Sequence, residues 1–529
     1  MPYRPSRLSR IRSRDAGRLD NIDEADFRHF GFTKASLKAL SAALRGKLVL
    51  PDNPDYEQDR QESNPAFQSY PVVIVYCKVP NDVRLCLEFR KRWNIPVACR
   101  SGGHSTAGYS VNEGLVLDTS QLSFACVAPD RQSVTVGAGT NFGDLNSELN
   151  EYQLHVPGGA CEDVCVAGYM QGGGYGYTQR LFGLNSDNVT GIRMMLHDGH
   201  IVIANDTQNT DLFWAVRGGT GGNFGVLLDI TYKAHSLNEV WGFAWVWDIN
   251  DAAALMEKLQ KDYMRTGDRR LGYMANLASH QPKDSDTDQR VFVLQGVFIG
   301  PKSDAHNCLE PLKQIATPVQ MLETVKPYDQ LDNWLDNNPY PIPNLPNTGA
   351  YEDKQAGYIA SPMTRQQWQS VVDFYLTTPC RFNTVVLEPY GGAINSYPVD
   401  KSAFIHRDVD TNFFVDVFWF TDSDGQPDAA QREEAKQWLD KYMQYMQQFF
   451  NGHVYQNYPR ATLTEYRSMY FGRAFEGLLK VKAKYDPHNF FEYQQSIKPY
   501  PEGTSPPQDS TQNPITPPGI SDPIVYECQ

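Results

Sequence analysis

Hydrophobic and polar positions follow a mixed pattern between residues 71 and 235, where short apolar runs alternate with helical stretches and glycine-rich loops. Asp82 precedes a stretch in which Val83, Cys86 and Leu87 share one helical face, which predicts a capped amphipathic helix. Strands are predicted at the apolar runs 95–99, 115–118, 133–139 and 199–204. The region is therefore predicted to be an α+β unit.

The pattern changes near residue 237, where longer runs of aromatic and β-branched residues begin. Such runs favour strands, and they lie at residues 240–247, 290–299, 384–388 and 413–420. Helical stretches separate them at residues 251–265, 303–315, 364–377 and 428–450. In the last of these, Trp438 and Tyr442 begin a helical stripe that we interpret as core. This region is predicted to be a second α+β domain, an antiparallel sheet covered by helices.

Composition narrows the classes of partner. The 529 residues exceed the usual size of one hydrophobic core, so more than one domain is expected. A formal net charge of −14 argues against a nucleic acid or an anionic membrane as partner. No apolar run approaches the roughly 20 residues that span a bilayer. The basic segment 1–14 precedes no apolar signal region, so we expect a cytoplasmic protein.

The nine cysteines do not form a metal-binding or disulfide pattern. Cys161 and Cys165 are four residues apart, but no second pair or histidine cluster near them completes a zinc site. Most of the others lie in apolar strand or helix contexts, where a thiol behaves as a small hydrophobic group. We therefore expect no structural metal and no disulfide framework.

The first chemical motif is a histidine in a loop of small residues, between the strands predicted at 95–99 and 115–118. Its members are Arg100, Ser101, Gly102, Gly103, His104 and Ser105. The glycines lack the Cβ atoms that would hold a flat, phosphate-bearing ligand away from the backbone. The motif resembles the flavin-binding segment of FAD-linked oxidases of the vanillyl-alcohol oxidase superfamily, in the berberine-bridge-enzyme-like branch. In that family this histidine is bonded to the 8-methyl group of FAD, which implies the same role for His104. By itself, a histidine in a turn is more often structural.

A second motif, within residues 157–189, contains a glycine run whose backbone N–H groups are predicted to cradle a pyrophosphate: Gly172, Gly173, Gly174 and Gly176. It fits neither a Rossmann fingerprint nor a P-loop. It is similar to the family's second flavin loop, where a cysteine is bonded to carbon six of the flavin. The resemblance implies this role for Cys161, with Cys165 as the competing position, and therefore bicovalent FAD. Attachment through His104 alone is the alternative.

Two further motifs extend the resemblance. The segment 211–226 is similar to the family's Asp-Leu-Phe-Trp signature and places Asn223 at the cofactor. The segment 455–458 resembles the family's Tyr-x-Asn-Tyr element, which adds Asn457 and Tyr458 to the cofactor site and implies that Tyr458 is the catalytic base. By itself, one of 29 tyrosines is readily an ordinary core or groove residue. An ordinary tyrosine pKa of about 10 would require a depressed value or a proton relay. Glu388 lies where relatives have an acidic or polar pocket residue, which implies that it polarises Tyr458 or holds a substrate hydroxyl. A surface carboxylate at a strand end is the alternative interpretation.

The resemblance implies a PCMH-type FAD-binding domain of two α+β subdomains plus a substrate domain. The predicted divisions are a lead-in with one helix near 33–46 (1–65), the FAD-binding domain (66–236), the substrate domain (237–454), a return to the FAD-binding domain (455–500) and a Pro/Ser-rich tail (501–529). The implied reaction oxidises an alcohol of a sugar or specialised metabolite, with dioxygen as acceptor and hydrogen peroxide as product. Oxidative cyclisation of an amine, an oxygen-avoiding dehydrogenase and a non-catalytic flavoprotein remain alternatives. The sequence does not indicate an oligomeric state.

Overall fold

The computed structural model describes residues 30–280, 288–337, 345, 349–498 and 514–519. Its α-helices are α1 (Lys34–Ala43), α2 (Tyr56–Asp59), α3 (Pro80–Trp93), α4 (Phe142–Asn150), α5 (Val166–Gln171), α6 (Gln179–Phe182), α7 (Thr210–Ala215), α8 (Ala252–Leu259), α9 (Lys302–Lys313), α10 (Tyr328–Asp336), α11 (Arg365–Tyr375), α12 (Gly392–Ser396), α13 (Ala429–Met446) and α14 (Phe475–Tyr485).

The strands form three main sheets and one short pair. They are β1 (Lys47–Val49), β2 (Val73–Tyr76), β3 (Val97–Arg100), β4 (Leu115–Asp118), β5 (Ala125–Val127), β6 (Ser133–Gly137), β7 (Leu154–His155), β8 (Val189–Met195), β9 (Ile201–Asn205), β10 (Val226–Lys233), β11 (His235–Ser236), β12 (Glu239–Asp248), β13 (Leu271–His280), β14 (Gln289–Phe298), β15 (Gln320–Pro327), β16 (Ala350–Ile359), β17 (Thr384–Pro389) and β18 (Thr411–Phe420). The predicted α+β class is confirmed.

The first sheet has the order β1-β2-β4-β3, with β2 and β3 parallel to β4. All four residues of β2 are buried, as is usual for a parallel strand covered on both faces. Helix α3 begins with Pro80, whose missing N–H is not needed in the first turn, and it buries Val83, Cys86 and Leu87 in this core. The sheet starts at Lys47, before the predicted domain start at residue 66.

The second sheet is antiparallel, in the order β5-β6-β10-β8-β9. Its core also contains residues from the C-terminal part of the chain, among them Phe475 and Leu478 of α14. The Lys482 ammonium on the same helix donates to the carbonyl of Asn223 at 2.7 Å and to Asp486 at 2.7 Å. The segment after residue 454 therefore packs with the second sheet, in the same part of the molecule as the first two motifs.

The third sheet is antiparallel and has seven strands, β15-β12-β14-β13-β17-β18-β16. One face packs against α8, α9, α11 and α13 in a core that includes Trp245 and Trp368. Burial of each such side chain stabilises the fold by roughly 1.5–3 kcal/mol. Trp438 and Tyr442 of α13 are buried in this core, as their spacing predicts. The other face of the sheet packs against residues of the predicted FAD-binding domain, among them Tyr177.

Most of the predicted tail, residues 501–529, lies outside the described residues, as does the lead-in before residue 30. Within 514–519, the N–H of Ile515 donates to the carbonyl of Arg473 at 3.0 Å. Among the helices of the described ranges, none has both the length and the apolar character required to cross a bilayer.

Candidate functional site

A cavity of about 1760 Å³ lies where the first two sheets meet the open face of the third. Pockets for one drug-sized ligand usually measure about 300–1,000 Å³, so this one has room for a large cofactor together with a substrate. The predicted residues that line it are Arg100, Ser101, Gly102, Gly103, His104, Ser105, Cys161, Glu388, Asn457 and Tyr458. The fold therefore brings all four motifs to one cavity, because Gly221 and Gly222 of the third motif line it as well.

Arg100 and Ser101 anchor the histidine loop to the first sheet. The Arg100 Nε donates to Asp118 Oδ2 at 2.6 Å, and both side chains are fully buried. The two residues are also Cα partners in the β3–β4 register. The Ser101 hydroxyl lies 2.9 Å from that of Thr119. These contacts fix the point at which the chain leaves β3 and so determine where the following loop enters the cavity.

His104 lies on the cavity wall with one ring nitrogen turned towards a carboxylate. Its Nε2 is 3.2 Å from Asp163 Oδ1, and both side chains are partly exposed. Gly103 has φ +75°, a conformation that favours glycine, and its carbonyl accepts the N–H of Ser63 at 2.9 Å. The Ser105 hydroxyl closes the loop by accepting the N–H of Tyr109 at 3.1 Å. The loop therefore presents the imidazole in a defined orientation.

Cys161 and Cys165 both line the cavity but differ in environment. Cys161 is half-buried, and burial raises the pKa of its thiol well above the ordinary value. Cys165 is buried at the N-terminus of α5, and its Sγ lies 3.3 Å from the carbonyl of Gly139. Of the two thiols, that of Cys161 is the more accessible from the cavity.

The glycine run lies behind the cavity wall: Gly172, Gly173, Gly174 and Gly176 do not line it. The N–H of Gly173 donates to the carbonyl of Met170, and that of Gly174 donates to the Tyr455 hydroxyl, each at 3.0 Å. A Cβ on Gly172 would lie 1.8 Å from Asn457 Oδ1, so a larger residue there would displace the Asn457 amide. The run allows close packing, and its contact with a cofactor phosphate stays a prediction.

Asn223 and Asn457 connect distant segments. Asn223 is fully buried outside the cavity lining, and its Oδ1 accepts the N–H of Ile497 at 2.8 Å. Asn457 lines the cavity, and its Nδ2 donates to the carbonyl of Tyr169 at 2.8 Å and to the Tyr455 hydroxyl at 3.0 Å. Asn223 therefore joins the third motif to the C-terminal segment, while Asn457 supports Tyr458 next to it. A direct contact of either with cofactor stays a prediction.

Tyr458 and Glu388 form a hydrogen-bonded pair at the cavity wall. The Tyr458 hydroxyl donates to Glu388 Oε1 at 2.8 Å, and Asn412 Nδ2 donates to Glu388 Oε2 at 2.8 Å. Burial raises the pKa of Glu388, although the hydrogen bonds from Asn412 and Tyr458 oppose that rise. Burial, reinforced by the Glu388 charge, raises the pKa of Tyr458 well above its ordinary value. A depressed tyrosine pKa is therefore not found.

Lys354 and Asp416 were not identified from the sequence, and both line the cavity beside Tyr458. The Lys354 ammonium lies 4.6 Å from the centroid of the Tyr458 ring and 3.1 Å from Asp416 Oδ1. Burial raises the pKa of Asp416 to about 7; Lys354 opposes this rise and Glu352 adds to it. Burial opposes the lysine charge, but the Asp416 and Glu352 carboxylates prevail and raise the pKa of Lys354. A cation is thus held over the tyrosine ring.

Two family models match the chain. One, described as an FAD binding domain, covers residues 71–205 and contains the first two motifs. The other, described as berberine and berberine like, covers residues 454–498 and contains the Tyr458 segment. The matched segments are those that meet at the cavity.

The chain covers nearly the whole length of two similar proteins. An uncharacterized FAD-linked oxidoreductase of Bacillus subtilis (strain 168), YgaK, is 27% identical over 462 residues, which is 86% of this chain and 97% of that protein. A carbohydrate oxidase of Microdochium nivale is 24% identical over 508 residues, covering 88% and 96% respectively.

The solved structure of wild-type Physcomitrella patens BBE-like 1 has the same fold, with a TM-score of 0.77 and 24% identity over 88% of this chain and 100% of that one. The family models, the relatives and the fold agree with one another. The chain is therefore an FAD-linked oxidoreductase with an FAD binding domain and a berberine-like domain, and its fold is similar to that of the berberine-bridge-enzyme-like proteins.

Proposed function

We propose that the protein oxidises an alcohol carbon of a small molecule, with FAD as hydride acceptor and dioxygen as final oxidant. The observation that carries this proposal is the hydrogen bond from Tyr458 to the buried carboxyl of Glu388, 2.8 Å long, at the cavity wall. It is an acid–base pair positioned to take the proton of a substrate hydroxyl. The similarity to a carbohydrate oxidase supports the same class of reaction.

The cavity residues fit a flavin. His104 and Cys161 provide two nucleophilic side chains in one cavity, on loops that come together where Gly102 packs closely against the backbone of Asp163 and Cys165. We propose that they hold the cofactor covalently, with Cys161 rather than Cys165 as the thiol partner. When bound, FAD supplies a hydride acceptor whose two electrons pass to dioxygen as hydrogen peroxide.

The proton moves by a relay in this proposal. Because the pKa of Tyr458 is raised, its phenol is protonated when substrate arrives. As the substrate hydroxyl transfers its proton to Tyr458 Oη, the phenolic proton passes to Glu388 Oε1. The raised pKa of Glu388 lowers the cost of its protonation. Lys354, 4.6 Å from the ring centroid, stabilises negative charge that develops on the phenol during the transfer.

Activity is expected to rise with pH through about 7. The Asp416 carboxylate holds Lys354 beside Tyr458, and its pKa is raised to about 7, so acidification protonates it and weakens the pair. In a pH profile of kcat/KM, Asp416→Asn should lower the plateau about tenfold and remove the acid limb near pH 7. Asp373→Asn, on the exposed side of α11, should keep the wild-type profile. If the acid limb of Asp416→Asn were identical to that of the wild type, Asp416 would not be the group that sets the pH dependence of the site.

Asp163 is expected to assist flavin attachment to His104. Its carboxylate faces Nε2 at 3.2 Å and so orients the ring. In Cys161→Ser protein, which retains only the histidine link, adding Asp163→Asn should slow acid-stable incorporation of FAD into the apoprotein about tenfold, the effect of one lost charged hydrogen bond. Glu162→Gln is the matched control beside it. Equal incorporation rates in both variants would show that Asp163 has no orienting role.

The general test of the proposed reaction is hydrogen peroxide release from a panel of alcohols, oligosaccharides and N-methyl amines. Peroxide formed in equal amount to an oxidised alcohol would support it. Turnover of amines alone would instead favour oxidative cyclisation.

A further inference from the structure

The second motif contains an arginine that is buried between the two predicted domains. Arg180, on α6, has 1% of its surface exposed. Its guanidinium donates to the carbonyl of Met264 at 2.6 Å, to that of Tyr263 at 2.7 Å and to that of Tyr390. Among the residues that the structure describes, no carboxylate forms an ion pair with it. A buried charge requires compensating contacts, and here they are made by the backbone of the substrate domain.

Tyr175 contacts the same part of the substrate domain from the same segment. Its hydroxyl donates to the carbonyl of Pro389 at 2.9 Å, and its ring stacks on that of Tyr390 with the centroids 5.4 Å apart. A Cβ on Gly392 would lie 2.2 Å from the carbonyl of Arg180, so the turn after Tyr390 packs directly on the backbone of α6. Tyr175 and Arg180 therefore bond to two successive carbonyls, those of Pro389 and Tyr390. We call Tyr175 and Arg180 the clamp.

The two carbonyls follow Glu388, at the point where strand pairing ends on one side of β17. Within the described ranges, β17 pairs with β13 only through Val385, Val386 and Leu387. On the other side, Glu388 pairs with Asn412 of β18. The chain at Glu388 is thus fixed by a neighbouring strand on one side only, and backbone groups beyond a ladder need other partners. The clamp supplies hydrogen bonds at this end of the strand.

The same segment also holds the loop that carries Tyr458. The Gly174 N–H donates to the Tyr455 hydroxyl at 3.0 Å, and the Tyr455 carbonyl accepts the N–H of Tyr458 at 2.9 Å. The stretch from Gly174 to Arg180 therefore contacts the neighbours of both members of the acid–base pair. It reaches Tyr458 through Tyr455, and it reaches Glu388 through the two carbonyls that follow it.

We propose that Arg180 and Tyr175 position the acid–base pair, because they hold the end of β17 where the Glu388 carboxyl stays within hydrogen-bond distance of Tyr458. This inference rests on the proposed role of Glu388 as proton acceptor. Neither clamp residue transfers a proton, so both are positioning residues. A displacement of about 1 Å can slow a reaction about a hundredfold. Loss of one clamp contact, with the other in place, should slow flavin reduction about tenfold.

The test is the rate of anaerobic flavin reduction in the FAD-loaded enzyme, with cellobiose as the probe. Arg180→Lys keeps the charge but loses the planar fork that reaches several carbonyls. Tyr175→Phe keeps the stacked ring but loses the hydroxyl. Each variant should lower the limiting rate about tenfold and leave the sugar concentration for half-saturation within about twofold of wild type, because positioning of the acid–base pair affects the chemical step rather than binding.

Two control variants make the same changes away from the cavity. Arg60→Lys alters another buried arginine, whose guanidinium donates to Gln68 Oε1 at 2.7 Å. Tyr442→Phe removes another buried phenolic hydroxyl, which donates to the carbonyl of Val371 at 2.7 Å. Both should lower thermal stability as the clamp variants do, but they should keep the limiting rate within about twofold of wild type.

A double-mutant cycle shows whether the clamp acts through Glu388. In Glu388→Gln protein, adding Arg180→Lys should cost less than about twofold, because the displaced side chain no longer accepts a proton. An equal loss in both backgrounds would show a merely structural role and would overturn the proposal. Wild-type rates in both clamp variants would overturn it as well.

Crystal structures of the FAD-loaded wild type and Arg180→Lys separate this inference from the proposed function. The distance from Tyr458 Oη to Glu388 Oε1 should be longer in the variant. A longer distance, together with a wild-type rate in Glu388→Gln, would reject the proposed function alone. A slow Glu388→Gln enzyme, with an unchanged distance and rate in Arg180→Lys, would reject the clamp alone.

Discussion

Replacement of Tyr458 by phenylalanine is expected to slow reduction of the bound flavin by about 10²- to 10⁴-fold, the usual contribution of a positioned general base. The variant loses the hydroxyl that donates to Glu388 at 2.8 Å but keeps the ring that packs against Phe414. Flavin content and folding should therefore be unchanged. The measurement is the limiting rate of anaerobic flavin bleaching on mixing with substrate.

Two further variants show whether the effect is a proton relay. Glu388→Gln can still accept the tyrosine hydrogen bond but cannot accept its proton, so it should lose at least tenfold to a hundredfold in the same rate. Tyr445→Phe, on the helix side of the third sheet, is the matched control for removal of a phenolic hydroxyl. An unaltered rate in Tyr458→Phe would overturn the base assignment, and an unaltered rate in Glu388→Gln would restrict the proton transfer to Tyr458.

Loss of both His104 and Cys161 is expected to abolish covalent flavin, whereas loss of either alone is not. In the proposed arrangement each residue forms one link, so His104→Ala and Cys161→Ser should each retain flavin in the pellet after acid precipitation. The double variant should release all of it. The readout is flavin absorbance in pellet and supernatant.

Cys165→Ser provides the matched control, because the Cys165 thiol lies in the same cavity but its Sγ is 3.3 Å from the carbonyl of Gly139. The double variant His104→Ala/Cys165→Ser should therefore keep its acid-stable flavin. Release of flavin from His104→Ala/Cys165→Ser, with retention in His104→Ala/Cys161→Ser, would move the thiol link to Cys165.

The parts of the fold that long apolar runs encode were predictable. Strand β12 carries Trp241, Trp245 and Trp247 on the side that packs against helices, and its residue types alone predict a strand. Strand β16 was not predicted, because polar residues occupy both of its faces. Glu352 and Lys354 line the cavity, while Asp353 on the opposite face pairs with Arg460. Such a strand has no apolar alternation to reveal it.

The candidate site shows the same limit. Local motifs located His104, Cys161 and Tyr458, since each lies in a short segment with a recognisable composition. The partners Lys354 and Asp416 are 62 positions apart and meet only through the pairing of β16 with β18. Register between distant strands depends on the packed sheet and cannot be read from either segment. Gly172 is a further example. Its close neighbour is the side chain of Asn457, from a segment far along the chain, so the reason for a small residue at this position is not visible in the glycine run itself.

The central claim is that an alcohol carbon reduces the flavin in this cavity while Tyr458 and Glu388 take the hydroxyl proton. The most direct measurement is the absorbance of the wild-type flavin on anaerobic mixing with cellobiose. We expect the flavin band to bleach at a rate that saturates with sugar concentration. A flavin that dithionite bleaches but that cellobiose and every other alcohol leave oxidised would contradict the account.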